Sequence, residues 1–256
     1  MRPSLACLAT PRPVAALADE YPEGFLDPRH RHGRAQLLYA ASGTMAVTTD
    51  AGCTVVPPQR ALWLPAGVEH EVLCRSPVSL RTLYVDDAAV EGLPAAPCVI
   101  EVSPLLRALI LEAMAVDAEY EVDGRDGRLM RLVLDEIRGK AVRMPTLPMP
   151  RDERLMRLCR TLLADLRGSE DLDRCAIIAG MGRRTLTRTF REQCGMSLGS
   201  WRQQARLVSA CARLTEGCTV TRAACEVGYE SPSAFSAMFQ RAFGTTPSAF
   251  MRRGGV

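Results

Sequence analysis

The sequence predicts an α+β chain: an N-terminal β-barrel with flanking helices, then an all-α C-terminal domain of two helix-turn-helix units joined by a long helix. Three observations predict it. Short strands with frequent turn residues fill most of the first ninety positions, a proline-rich segment follows near residue 145, and one helical pattern then occurs twice.

From the N-terminus, six short strands are expected: Ala35 to Ala40, Thr44 to Thr49, Thr54 to Val56, Arg60 to Leu64, Val68 to Leu73 and Leu80 to Val85. Asp50-Ala51-Gly52 and Pro57-Pro58 punctuate them. Many short strands at close spacing form a sandwich or barrel. All three histidines of the chain lie in this half. Two form His30-x-His32-x-x-x-Gln36 with Gly43 beyond, and the third closes Pro65-x-Gly67-x-x-His70. In a strand, His30 and His32 point to the same face.

These two motifs resemble those of the cupins, double-stranded β-barrels that hold metals or small molecules inside, over about residues 20 to 90. The resemblance implies that His30, His32, Gln36 and His70 ligate one divalent transition metal: Zn, Ni, Fe or Mn. Gln36 stands where the cupin pattern has Glu. The set therefore carries no charge to offset the ion, and affinity is expected to be lowered. The other reading is a metal-free pocket in which the histidines hydrogen-bond an effector or one another, and both stay open at this point.

Downstream, Ser103 to Asp117 and Arg128 to Arg138 read as amphipathic helices. Leu105, Leu106, Leu109 and Ile110 form one apolar stripe, and Leu129, Leu132, Val133 and Ile137 form another. The pair either covers the barrel or joins two protomers. Met144 to Pro150, with Pro145, Pro148 and Pro150, reads as a stiff extended linker.

In the repeat, Leu172, Ala176, Gly180, Met181, Leu186, Phe190 and Gly195 correspond to Val220, Ala224, Gly228, Tyr229, Phe235, Phe239 and Gly244. The offset is 48 before the turn and 49 after it, which puts one extra residue within Glu230-Ser231-Pro232. Each copy reads as a short helix, a glycine turn and a second helix, with the small Ala allowing a close crossing. Between the copies, Trp201 to Leu214 contains neither Pro nor Gly. Its Trp201, Ala205, Val208 and Ala212 recur at helical intervals, as expected of one connecting helix. Two copies are too few for a solenoid. Charge points to nucleic acid instead. The chain is only +3, but from Arg151 onward 17 Arg face 10 acidic residues (+7), while the first 150 residues carry 15 basic and 19 acidic ones (−4).

The segment Val220 to Phe250, with Gly228-Tyr229, Ser231-Pro232-Ser233-Ala234-Phe235, Phe239-Gln240-Arg241 and Phe243-Gly244-x-x-Pro247-Ser248, resembles the signature of the AraC/XylS-type transcription regulators. Ala179-Gly180-Met181 through Arg184-Thr185-Leu186-x-Arg188-x-Phe190 to Gly195 resembles that family's upstream unit. The likeness covers about Arg151 to Arg253, and Gly182 departs from it, standing where the family has a Ser helix cap. The expected organisation is therefore a cupin-like barrel at 1–98, helices for dimerisation at 99–143, the linker at 144–150 and the DNA-binding domain at 151–256. Each second helix is expected to enter a major groove. In the first, beginning near Arg183, the residues Arg184, Thr187 and Arg188 share a face away from Leu186 and Phe190, and match the family's base-reading positions. Arg reads guanine O6 and N7 in bidentate fashion. The matching positions in the second unit are Ser233, Ser236 and Ala237, whose reach is short, with Gln240 and Arg241 one turn on as backbone anchors. The first unit is expected to dominate specificity.

The function expected is a sequence-specific regulator of promoter DNA, a homodimer by its resemblance, with RNA polymerase as a further partner. Its barrel is expected to sense a small-molecule effector or metal. A metal-dependent cupin enzyme with a DNA-binding tail is the alternative. It is disfavoured because the ligand set lacks its carboxylate and no motif places another acid beside the histidines. No apolar stretch is long enough to span a membrane, and Leu5 to Leu8 is too short for a secretory signal. Ten cysteines with no C-x-x-C pair read as small apolar residues of a reduced cytoplasm, Cys7 being the plausible reactive thiol.

Overall fold

The structure, a computed structural model, describes residues 9–56, 60–142, 147–168, 171–215 and 217–254. It forms two compact units: Met1–Thr49 with Val56–Met144, and Pro145–Val256 with Asp50–Val55.

The strands form two antiparallel sheets, all but β5 lying in the first unit. One has six strands in the order β1 (Val14–Tyr21), β8 (Val78–Val85), β3 (Ala35–Ser42), β6 (Arg60–Leu64), β9 (Cys98–Glu101) and β10 (Ala141–Val142). The other has the order β2 (Leu26–His30), β7 (His70–Cys74), β4 (Met45–Thr49) and β5 (Gly52–Val56). All six expected strands are present within a few residues. Among the described residues four more were not expected: β1, β2, β9 and β10. The last two carry the six-stranded sheet past residue 98, into the segment expected to be helical, because β9 pairs β6 and β10 pairs β9.

Strand β3 shows how the unit is layered. Its alternate side chains Leu38 and Ala40 enter one apolar cluster with Met45, Val47, Val72 and Leu80. The intervening Ala35, Leu37 and Tyr39 enter a second with Trp63, Leu83 and Val85. Both faces are buried, which is why the strand reads as a continuous apolar run. The second cluster is completed by α1 (Pro104–Ala113) and α2 (Arg125–Ile137), through Leu106, Ile110, Met130, Val133 and Ile137. Ser103 begins α1 by accepting a hydrogen bond from the Leu106 N–H at 3.0 Å, with Pro104 in its first turn. The expected helix from Ser103 to Asp117 stops earlier, and the one from Arg128 starts three residues sooner. Leu105 and Leu132 stay 49% and 41% exposed on these helices.

The second unit is helical: α3 (Glu153–Ala164), α4 (Leu172–Ala179), α5 (Arg183–Cys194), α6 (Leu198–Thr215), α7 (Val220–Glu226), α8 (Pro232–Phe243) and α9 (Pro247–Gly254). Helices α4 and α5 form the first helix-turn-helix, α7 and α8 the second. The second turn is longer, as the 49-residue offset requires. Ser231 caps α8, accepting from the Ala234 N–H at 3.1 Å, whereas Gly182 offers α5 no side-chain cap. Helix α6 is the central strut, with Trp201, Ala205, Ala210, Cys211 and Leu214 all buried. Trp201 packs edge-on against Phe190 at 5.9 Å and donates its indole N–H to Pro148 O at 2.6 Å.

The expected linker falls partly outside the described residues, at 144–146. Its described part is held in place rather than free: besides the Pro148 bond, Leu147 exchanges two backbone hydrogen bonds with Cys53. Cys7 also lies outside the described residues. Among those described, Cys225 is the exposed thiol, while Cys53, Cys74, Cys159, Cys175, Cys194 and Cys211 are buried. No helix among the described residues is long and apolar enough to cross a membrane.

Candidate functional sites: the histidine cluster and the recognition helices

The inward face of β3 begins with Gln36 before it turns apolar at Leu38. Its neighbour β8 repeats the change, with Thr82 and Tyr84 beside Gln36 and Leu80 beyond. One end of the interior is thus polar, and the histidines gather there. One ring nitrogen each of His30, His32 and His70 lies within 4.8 Å of the other two. Across the strands, His30 of β2 pairs directly with His70 of β7. His32 is not in a strand, contrary to the same-face expectation. It lies in the loop after β2 and reaches the cluster from there.

Each imidazole is oriented by the backbone. The Nδ1 atoms of His30, His32 and His70 stand 2.9, 2.7 and 2.9 Å from the carbonyls of Pro28, Arg34 and Val68. A carbonyl only accepts, so each Nδ1 carries the proton and each Nε2 is left with its lone pair as the available ligand atom. The carbonyl that holds His32 belongs to buried Arg34, whose guanidinium donates to the Thr10 and Arg12 carbonyls and to Asp86. The turn of the second histidine motif also grips this loop, Gly67 N–H donating to His32 O at 2.9 Å. His70 is 1% exposed, and burial pushes its imidazole down to about 4, with His30 and His32 adding to the shift. Its ring is therefore neutral near pH 7, the form that binds a metal.

Gln36 is oriented as strictly. Thr82 gives its hydroxyl proton to Leu37 O at 3.1 Å, so its oxygen must accept. Gln36 supplies the donor, its Nε2 lying 3.0 Å from Thr82 Oγ1 and 3.2 Å from the Tyr84 hydroxyl. Its Oε1 is thereby turned to His32 Nε2, 3.0 Å away. With Nδ1 protonated, a neutral His32 presents a lone pair to another lone pair. A cation that takes a lone pair from each atom would relieve that contact.

The structure corrects one expectation here. An acid does stand beside the histidines: Asp27, 4% exposed, has Oδ2 3.6 Å from His30 Nδ1. Period-two alternation puts residues i and i+3 on opposite faces, so sequence reasoning missed it. A register shift in β2 between Asp27 and His30 brings the two together.

On the helical unit, the expected base-reading residues of α5 are exposed and Leu186 and Phe190 are buried, as their spacing requires. Their surroundings differ. Arg183 forms a two-pronged ion pair with Asp173 of α4, and Arg188 pairs with Glu192 at 3.0 Å. Thr187 returns its hydroxyl to Arg183 O at 3.0 Å. Arg184 makes no ion pair among the described residues. On α8, Ser233, Ala237, Gln240 and Arg241 are exposed and Ser236 is half-buried.

Comparison with known proteins agrees with both halves. A family model described as an AraC-like ligand binding domain matches residues 13–178, and one described as a helix-turn-helix domain matches residues 175–253. The HTH-type transcriptional regulator NimR of Escherichia coli (strain K12) is 30% identical over 226 residues, covering 88% of this chain and 82% of NimR. RipA of Corynebacterium glutamicum, another HTH-type transcriptional regulator, is 31% identical over 42% of this chain and 33% of its own length. A solved structure of ToxT from Vibrio cholerae aligns with 94% of this chain and 98% of that one, at 10% identity and a TM-score of 0.40.

Proposed function

The chain belongs to the AraC family of DNA-binding transcription regulators with an N-terminal ligand-binding domain, and we propose that it senses its signal through a divalent transition metal. His30, His32 and His70 would hold the ion by Nε2 and Gln36 by Oε1. The observation that carries this reading is the fate of the three Nδ1 protons. All three are spent on backbone carbonyls, which leaves each Nε2 its lone pair, in three rings of which one nitrogen each lies within 4.8 Å of the other two. Such a set suits Zn, Ni, Fe or Mn, and bound there the metal would offer remaining coordination positions to an effector.

At the promoter, α5 carries the main sequence reading through Arg184 and Arg188, while α8 chiefly anchors the DNA backbone through Gln240 and Arg241. Two protomers pair through α1 and α2, and promoter-bound protein acts on RNA polymerase. The barrel is a sensor and not a catalyst, a reading supported by relatives that are transcription regulators.

Elemental analysis of chelator-free protein beside His32→Ala tests the metal. The expected result is metal in the wild type and a marked loss in the variant. Equal content in both, or none in either after reconstitution, makes the pocket a metal-free effector cavity. Turnover of an organic substrate that disappears in His32→Ala restores the enzyme reading.

A further inference from the structure

We propose that Asp27 supplies the negative charge that the four candidate ligands lack, acting through His30 as a positioning residue. The inference rests on the metal reading above. Four neutral ligands leave the charge of a divalent ion uncompensated inside a protein, yet the chain buries a carboxylate beside one of them. In β2, Asp27 stands opposite Val72, a member of the interior cluster, and His30 opposite His70. Both are therefore directed to the inside of the barrel, although three positions apart. Asp27 Oδ2 is 3.6 Å from His30 Nδ1, whose proton is donated to Pro28 O at 2.9 Å. The carboxylate is thus not the ring's hydrogen-bond acceptor and lies outside the cluster of ligating atoms. It acts as a fixed charge on the side of the imidazole facing away from the ion.

This arrangement has a physical logic. A buried anion is stable only near positive charge. A metal bound at His30 Nε2 makes the whole ring electropositive, and the adjacent carboxylate both stabilises that state and raises the basicity of the ligand. Gln36 is then tolerated where a carboxylate ligand would otherwise be needed: the charge has moved from the oxygen ligand to the far side of a histidine.

The test titrates Co(II) into metal-free, full-length protein, followed by its visible absorption, for the wild type, Asp27→Asn and Asp27→Asn/Gln36→Glu. Asp27→Asn keeps the shape of the side chain and should weaken Co(II) binding by about 10–100-fold. Adding Gln36→Glu to that variant should restore most of the loss, because the missing quantity is charge. The metal-free Asp27→Asn protein should melt no lower than the metal-free wild type, since the amide keeps the shape of the side chain and its charge is called on only when the ion is bound. Unchanged affinity in Asp27→Asn overturns the proposal while leaving the metal reading intact. So does a loss that Gln36→Glu fails to restore, and so does a lowered melting temperature without metal, which marks Asp27 as a structural hydrogen-bonding group. A wild type that takes up no Co(II) overturns the metal reading, and the proposal with it.

Discussion

Arg184, Thr187 and Arg188 of α5 were equivalent candidates by spacing, with Arg183 a further DNA contact at the helix start, and their partners now separate them. Arg183 is tied to Asp173, Thr187 to its own helix, and Arg188 to Glu192, while the Arg184 side chain makes no ion pair among the described residues. Exposed ion pairs are worth at most about 1 kcal/mol, and a good bidentate guanine contact about 1–3 kcal/mol. Arg188 can therefore leave Glu192 for a base at a net gain, and Arg184 gains without that exchange. We expect Arg184→Ala and Arg188→Ala each to cost about 1–3 kcal/mol on the cognate site and to relax base preference there, Arg184→Ala more. Replacing Arg241 should instead weaken binding to all sequences alike and flatten the salt dependence. Binding to a randomised operator library measures both effects. If Ser233→Ala broadens the preference more than either Arg variant, the second unit leads the reading and the ranking is wrong.

At the scale of elements, the repeat treats Gly180 and Gly228 as the same residue in two copies. Both have positive φ, +62° and +83°, which accounts for the shared glycine. Their surroundings are not the same. A Cβ on Gly180 meets nothing within 4 Å, whereas one on Gly228 falls 2.9 Å from Leu166 O and 3.0 Å from the Arg167 Cα. Gly180→Ala should therefore cost only the left-handed backbone penalty, about 1–2 kcal/mol. Gly228→Ala must in addition displace the chain after α3, so its cost should be clearly greater. Urea unfolding of the two variants gives the comparison, and equal losses would mean that the contact with residues 166–167 yields without cost. Helix α3 escaped the sequence reading for a different reason. It lies outside the repeat, and its buried Leu155, Leu158, Cys159 and Leu162 form a helical stripe that the repeat pattern gave no reason to seek.

At the scale of the molecule, the basic and acidic halves correspond to two folded units with separate tasks. The two helices on the N-terminal unit use one side for its core and leave Leu105 and Leu132 outside. If these leucines lie in the protomer contact, Leu105→Glu/Leu132→Glu should convert a dimer to a monomer in sedimentation velocity at micromolar concentration. The unit itself should remain folded, because neither side chain belongs to its buried cluster. A wild type that sediments as a monomer, or a variant that still dimerises, places the contact elsewhere.

By itself the sequence determined the two-part architecture, both helix-turn-helix units with the extra residue in the second turn, six of the ten strands among the described residues, and the grouping of His30, His32, Gln36 and His70. These rest on local periodicity and on residue types at fixed spacing, which survive as text. Tertiary structure alone decided the rest. The cross-strand pairing that faces His30 with His70 and the loop that carries His32 out of the strand depend on residues far apart in the chain. So does the pinning of Gln36 by Thr82 and Tyr84, 46 and 48 positions away. Asp27 was hidden for a sharper reason. A strand's period of two places it opposite His30, and only an irregularity in the register of β2 against β7, which no pattern of residue types announces, turns the carboxylate to the same side.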